Sequence, residues 1–226
     1  MLKNGFGTVR KMPALKLDYI FCMIILSCFG VYFSWDFLTG AKAFLHPDYY
    51  GIYFQFRAWY SNELAQGNLP LWNPFWGLGH TAEIWASIPV DLFTLAEILI
   101  GPYYNAYFCA QVVIFLTVTF AIMRLFEVSS VVALPSSLLL LLSPWTNYFI
   151  YYFNHFGTTV GYFVCFYSLV NWCLTRQFKY LIILSFFVSL SMLGTKLELW
   201  FVQTSILGML ALVAPLITSR KALCVS

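Results

Sequence analysis

Apolar stretches of the length a bilayer core demands recur along this chain, and no other property narrows its possible folds so far. They run Tyr19–Phe37, Tyr103–Leu125, Val128–Pro144, Gly157–Leu174, Tyr180–Leu193 and Leu197–Ile217, the third and fifth being short for the task. A hydrocarbon core takes a helix of about 17–25 mostly apolar residues. Composition agrees, with 61% of residues hydrophobic and 9% charged, against roughly 25% charged in soluble domains. So few charges cannot cover the surface of a soluble fold of this length. The expected class is all-α, a polytopic transmembrane helix bundle of six spans. It forms a single domain over residues 1–226, with no soluble domain, internal repeat or low-complexity tract.

Charge placement orients the bundle. With the N-terminus inside, Lys3, Arg10, Lys11, Lys16, Arg124, Arg176, Lys179, Arg220 and Lys221 fall in the cytoplasm. Only Lys42, Arg57 and Lys196 fall outside, which is the positive-inside asymmetry. The histidines His46, His80 and His155 and most acids collect on or near the external side. The first run is longer than the roughly 7–15 apolar residues of a cleavable signal, so it is expected to remain as a membrane helix despite Ala41-Lys42-Ala43. The expected location is the cell (inner) membrane, with the N-terminus cytoplasmic. The cysteines lie in apolar spans or on the cytoplasmic side and form no C-x-x-C pair, so they read as small apolar residues.

The first external loop, about residues 38–102, is the most informative part of the chain. His46-Pro47-Asp48 precedes Tyr49 to Gln66, then Gly67-Asn68. This reads as a helix with Asp48 at its N-cap and Gly67 as its stop. Tyr49, Tyr53, Phe56 and Tyr60 share one face, so the helix is expected to lie in the membrane interface. Pro70, Pro74, Gly77 and Gly79 follow and rule out a regular helix, implying a compact loop folded back on itself. The piece Ile88–Ile100 holds Asp91 and Glu97, too short to cross easily, and is expected to be interfacial or re-entrant.

An Asp soon after the first membrane helix, then Gln55-Phe56-Arg57, then Gly67-Asn68-Leu69-Pro70-Leu71-Trp72-Asn73-Pro74 and a Gly-rich turn, resembles the YfhO-like branch of the GT-C membrane glycosyltransferases. The resemblance extends more weakly through Ser143-Pro144 and Asn154-His155-Phe156 to about Trp200. Such proteins are longer, so it implies that this chain is the N-terminal part of a GT-C-like module. It further implies transfer of a sugar from a polyprenyl-phosphate donor to a glycan or lipid acceptor at the external face. An acid in the first external loop serves there as general base, a role that falls on Asp48. Arg57 or Lys196 would stabilise charge on the leaving phosphate. Where the family carries a Gly-Gly-His-Pro-Gln-like stretch, this chain has Gly194-Thr195-Lys196-Leu197-Glu198, which alters charge and hydrogen bonding at that end.

Each candidate has a plainer role beside the functional one. Asp48 is a helix cap or a general base, and the two roles are compatible. Trp72 and Asn73 either stack on and bond a sugar or anchor a turn in the interface. Arg57 grips phosphate or snorkels to headgroups. Glu83, His80, Asn154 and His155 contact substrate or are solvated loop groups. Lys196 and Glu198 face substrate or pair with each other at the membrane edge. No histidine spacing indicates a metal site, and no cofactor is expected. Expected partners are membrane lipids, the lipid-linked sugar and its acceptor. Nucleic-acid binding is disfavoured for want of a basic surface, and soluble nucleotide-sugar enzymes for want of a Gly-rich phosphate loop after a strand. The alternative from another class is a non-catalytic flippase, transporter subunit or envelope-assembly protein.

Overall fold

A computed structural model describes residues 17–41, 59, 62–63, 65–68, 72–73, 80–81, 96, 99, 104–144, 146–147, 153–194 and 208. The helices described along their whole length are α1 (Leu17–Phe33), α2 (Trp35–Leu38), α3 (Tyr104–Leu125), α4 (Ser130–Leu141), α5 (Phe153–Thr175) and α6 (Phe178–Gly194), and residues 59, 62–63, 65, 96, 99, 144, 146–147 and 208 are helical as well. Two residue pairs, β1 (Trp72–Asn73) and β2 (His80–Thr81), form the one strand pairing among the described residues. The fold is otherwise helical. Among the described residues one helix, over Asn105–Leu125, is long and apolar enough to cross a membrane by length and composition. The other apolar helices, Leu17–Phe33, Ser130–Leu141, Thr159–Thr175 and Phe178–Ser189, are shorter.

Helix α3 is the hub, packing against α1, α2, α4 and α5, while α6 packs on α5. Aromatic pairs fix the directions. Tyr19 meets Phe120 at 5.4 Å and Phe37 meets Phe108 at 5.2 Å, so α1 runs antiparallel to α3. Phe115 meets Phe163 at 5.0 Å and Phe108 meets Phe156 at 6.2 Å, so α5 runs parallel to α3. Tyr167 stacks edge-on with Tyr180 at 6.5 Å, and a Cβ at Gly161 would touch Phe187, so α6 turns back along α5. The core these contacts enclose holds Leu26, Phe108, Val112, Phe115, Leu116, Phe120, Ala133, Leu141, Phe156 and Val160.

Three features differ from the hydropathy pattern. The first apolar run is broken at Ser34, whose backbone (φ −91°, ψ 0°) separates α1 from α2. The third run is helical only from Ser130, because α3 ends in a closed turn. Val128 N–H donates to Met123 O and Glu127 N–H to Arg124 O, with Glu127 in the left-handed region at φ 65°. This is the Schellman termination, which usually employs glycine. The fourth run is longer than expected, since α5 starts at Phe153 and takes Asn154 and His155 into its first turn. The sixth run, Leu197–Ile217, lies outside the described residues except for 208.

Polar side chains inside the helices mostly return their hydrogen bonds to their own helix. Ser27 Oγ donates to Met23 O, Thr117 Oγ1 to Val113 O, Thr119 Oγ1 to Phe115 O, Ser137 Oγ to Ala133 O and Thr175 Oγ1 to Asn171 O, each at 2.7–2.8 Å. Back-bonding of this kind satisfies a hydroxyl without any neighbour, as an apolar setting requires. Cys22, Cys109 and Cys165 are buried, Cys173 is partly buried and Cys28 exposed, all as free thiols.

Candidate functional site

The antiparallel packing of α1 and α3 gives the bundle two chemically different ends. At one end lie the start of α1, the α3–α4 turn and the α5–α6 turn. Ser130 Oγ donates to Asp18 Oδ2 at 2.9 Å, and Tyr19 lies within electrostatic reach of Arg124, Tyr167 and Tyr180. Arg124, in the last turn of α3, donates from Nη1 to Val128 O at 2.6 Å, tying that turn to the residues beyond the helix end. Arg176 sits in the left-handed region at φ 57° with its guanidinium 4.9 Å from the Trp172 ring centroid, and Lys179 Nζ lies 5.1 Å from that of Tyr180. All the Lys and Arg side chains among the described residues, Arg124, Arg176 and Lys179, therefore lie at this end.

The opposite end is where α2 finishes, where α3 begins and where α5 begins, held together by Phe37, Phe108 and Phe156. The segment that joins α2 to α3 starts and finishes at this end. Its described residues include a helix end at Gly67 and a strand pairing. The helix before Gly67 ends as its sequence suggests: Gly67 has φ 81°, and Asn68 N–H donates to Glu63 O at 2.9 Å. The Asn68 side-chain amide also donates to Glu63 Oε2 at 3.0 Å. A side chain at Gly67 would strain this left-handed position. Beyond it the chain folds back on itself, with Trp72 opposite Thr81 and Asn73 opposite His80 in antiparallel register. The pairing brings the backbones of three candidate residues, Trp72, Asn73 and His80, into one hairpin. At the same end of the bundle as this segment's two attachment points, Asn154 and His155 occupy the first turn of α5.

Asp48, Arg57, Glu83, Lys196 and Glu198 lie outside the described residues, as do the start of the expected helix at Asp48 and most of Ile88–Ile100. Among the described residues no group of three His, Cys, Asp or Glu side chains is placed to hold a metal ion. One residue of interest escaped sequence reasoning altogether. Gln111, in the middle of the apolar run of α3, is fully buried, and neither Nε2 nor Oε1 has a hydrogen-bond partner. Its signal in the sequence is a lone amide among aliphatic and aromatic residues. No protein-family model, curated protein or solved structure matches the chain.

Proposed function

We propose that this chain is a multi-spanning protein of the cell (inner) membrane that transfers a sugar from a polyprenyl-phosphate donor to a glycan or lipid acceptor at the external face. The observation that carries this reading is the separation of chemistry between the two ends of the bundle. Arg124, Arg176 and Lys179 gather at one end, the composition expected of a cytoplasmic end. The long segment with the hairpin of Trp72, Asn73 and His80 is attached at the other.

Exposed side chains argue for lipid around the bundle. Leu17 (84%) and Phe21 on α1, Val131 (84%) and Leu139 on α4, and Phe178 and Ile182 on α6 all point outward. In water an apolar surface of this extent is a liability; in a bilayer it is solvated.

In this reading the acceptor hydroxyl oxygen attacks the anomeric carbon, the bond from that carbon to the phosphate oxygen breaks, and Asp48 takes the hydroxyl proton. The phosphate leaves with its electron pair, and Arg57 or Lys196 offsets the growing charge. Trp72 offers a flat apolar face to the sugar ring, and Asn73, His80, Asn154 and His155 offer hydrogen bonds to its hydroxyls. Glu83 and Glu198 orient the acceptor. The test is direct: proteoliposomes containing the chain, a polyprenyl-phosphate carrying a radiolabelled sugar, and lipid extract as acceptor should yield a labelled product that protein-free vesicles do not. Absence of product from correctly inserted, folded protein in its complete assembly rejects the reading.

A further inference from the structure

Most hydroxyls of the bundle bond to their own helix, and Ser34, Ser168, Asn171 and Arg124 each leave one buried polar atom unpartnered, whereas the Gln111 carboxamide is fully buried with donor and acceptor both unpartnered. No other side chain among the described residues leaves two buried polar atoms without a partner. An apolar residue of the same volume would avoid the penalty of an unmade hydrogen bond, so packing alone gives no reason for an amide here. A buried polar group of this kind points to a partner the resting chain does not supply.

Its position says where that partner comes from. Gln111 lies three residues after Phe108 and four before Phe115, hence on the same face of α3. Phe108 and Phe115 both meet Phe156, at 6.2 and 5.6 Å. Gln111 is therefore on the side of α3 that faces the first turns of α5, near the level of Phe156. Seven residues separate it from the start of α3 at Tyr104, a depth of about 10 Å. Phe108, one turn nearer that end on the same face of α3, and Phe156 packed against it are the rings a ligand entering from that end would displace. Phe37 packs edge-on against Phe108 at the rim.

The chemistry of the collar selects the ligand class. Aromatic rings favour a flat ring or an unsaturated chain, and a carboxamide pairs best with a group that both donates and accepts. No Lys or Arg occurs in α3 before Arg124 or anywhere in α5, where His155 is the one residue able to carry positive charge, so no permanent cation here selects an anion. We propose that Gln111 is the inner limit of a substrate-binding pocket opening between α3 and α5, where its carboxamide hydrogen-bonds a hydroxyl of a neutral sugar ring. This deepens the transferase reading above and rests on it for the identity of the ligand, while the binding itself is measured without any transfer.

The experiment uses the whole chain in nanodiscs with glutamine side chains labelled with ¹⁵N. The Gln111 amide signal is identified by its loss in Gln111→Met, a variant of similar volume. Two probes are titrated: hexyl β-D-glucopyranoside, and 1-methoxyhexane as a chain lacking hydroxyls. The expected result is a saturable shift of the Gln111 signal with the glucoside alone, and binding weakened about tenfold, equivalent to about 1.4 kcal/mol, in Gln111→Met. Gln111→Glu, whose buried carboxyl in its neutral form still donates and accepts, should retain more binding than Gln111→Met. An unshifted Gln111 signal at saturation, equal shifts with both probes, or unchanged affinity in a folded Gln111→Met protein overturns the proposal. Sugar transfer with a donor KM indifferent to Gln111→Met rejects this inference and leaves the transferase reading intact. Glucoside binding through Gln111 in a chain that transfers nothing does the reverse.

Discussion

At Gly30 the backbone of α1 lies directly against Val113 of α3, and replacing it with alanine tests how they pack. A Cβ built there falls 2.8 Å from Val113 Cγ2, 3.3 Å from Val113 Cα and 3.4 Å from its nitrogen. The first distance is too short for any real contact, and the other two are to backbone, which cannot swing away. Val113 is β-branched and stiff at χ1 in a helix, so its methyl does not simply rotate out. Relief requires α1 and α3 to separate slightly, and overpacking of this sort typically costs about 1–3 kcal/mol. Alanine recovers about 1 kcal/mol of helix propensity over glycine, so Gly30→Ala should destabilise by a net amount of about 0–2 kcal/mol. The sign is sharpened by a second substitution. In a Val113→Ala background the offending methyl is gone, the backbone contacts need only a few tenths of an ångström, and the propensity gain should prevail. Thermal unfolding of the four proteins in one detergent gives the coupling. At about 2–4 °C per kcal/mol for a domain of this size, Gly30→Ala should lower or hold the midpoint in wild type and raise it in Val113→Ala. An equal rise in both backgrounds would refute the close approach.

Two further outcomes follow from the helix ends. Glu127 holds a left-handed position at φ 65°, where glycine avoids a strain of roughly 1–2 kcal/mol, so Glu127→Gly should raise the unfolding midpoint. A fall would mean that the Glu127 side chain contributes more than its backbone strain costs. For orientation, in a cysteine-free background, Asn68→Cys should react with an impermeant thiol reagent in intact cells and Gln177→Cys only after permeabilisation; the reverse pattern would invert the bundle.

Hydropathy located α1, α3, α5 and α6 to within a few residues, because a long apolar run needs no finer signal. It missed what single residues decide. The break at Ser34 is invisible to an average taken over Phe33, Trp35 and Phe37. The late start of α4 follows from the closed turn at Glu127, and a Schellman turn built on glutamate carries no glycine to announce it. Gly67 did announce itself, and the helix ends there. Asn154 and His155 depress local hydropathy, which placed the start of α5 too late, although both extend its first turn. The fold-back after Gly67 was legible from its prolines and glycines. Its register, Asn73 opposite His80, was not, because strands of two residues have no alternation to read. Gln111 was lost for the same reason as Ser34: one amide barely lowers the mean of a strongly apolar helix. Its lack of partners exists only in three dimensions.

The central claim is sugar transfer at the external face with Asp48 as base, and one substitution tests it most directly. Asparagine caps a helix about as well as aspartate, but its carboxamide does not take up a proton at neutral pH. Asp48→Asn protein should therefore reach the membrane at wild-type levels. Its transfer of radiolabelled sugar from the polyprenyl-phosphate donor, measured in the complete assembly, should fall by roughly 10²–10⁴-fold, the usual contribution of a general base. Transfer at the wild-type rate by well-expressed Asp48→Asn protein would contradict the account and reduce Asp48 to a helix cap.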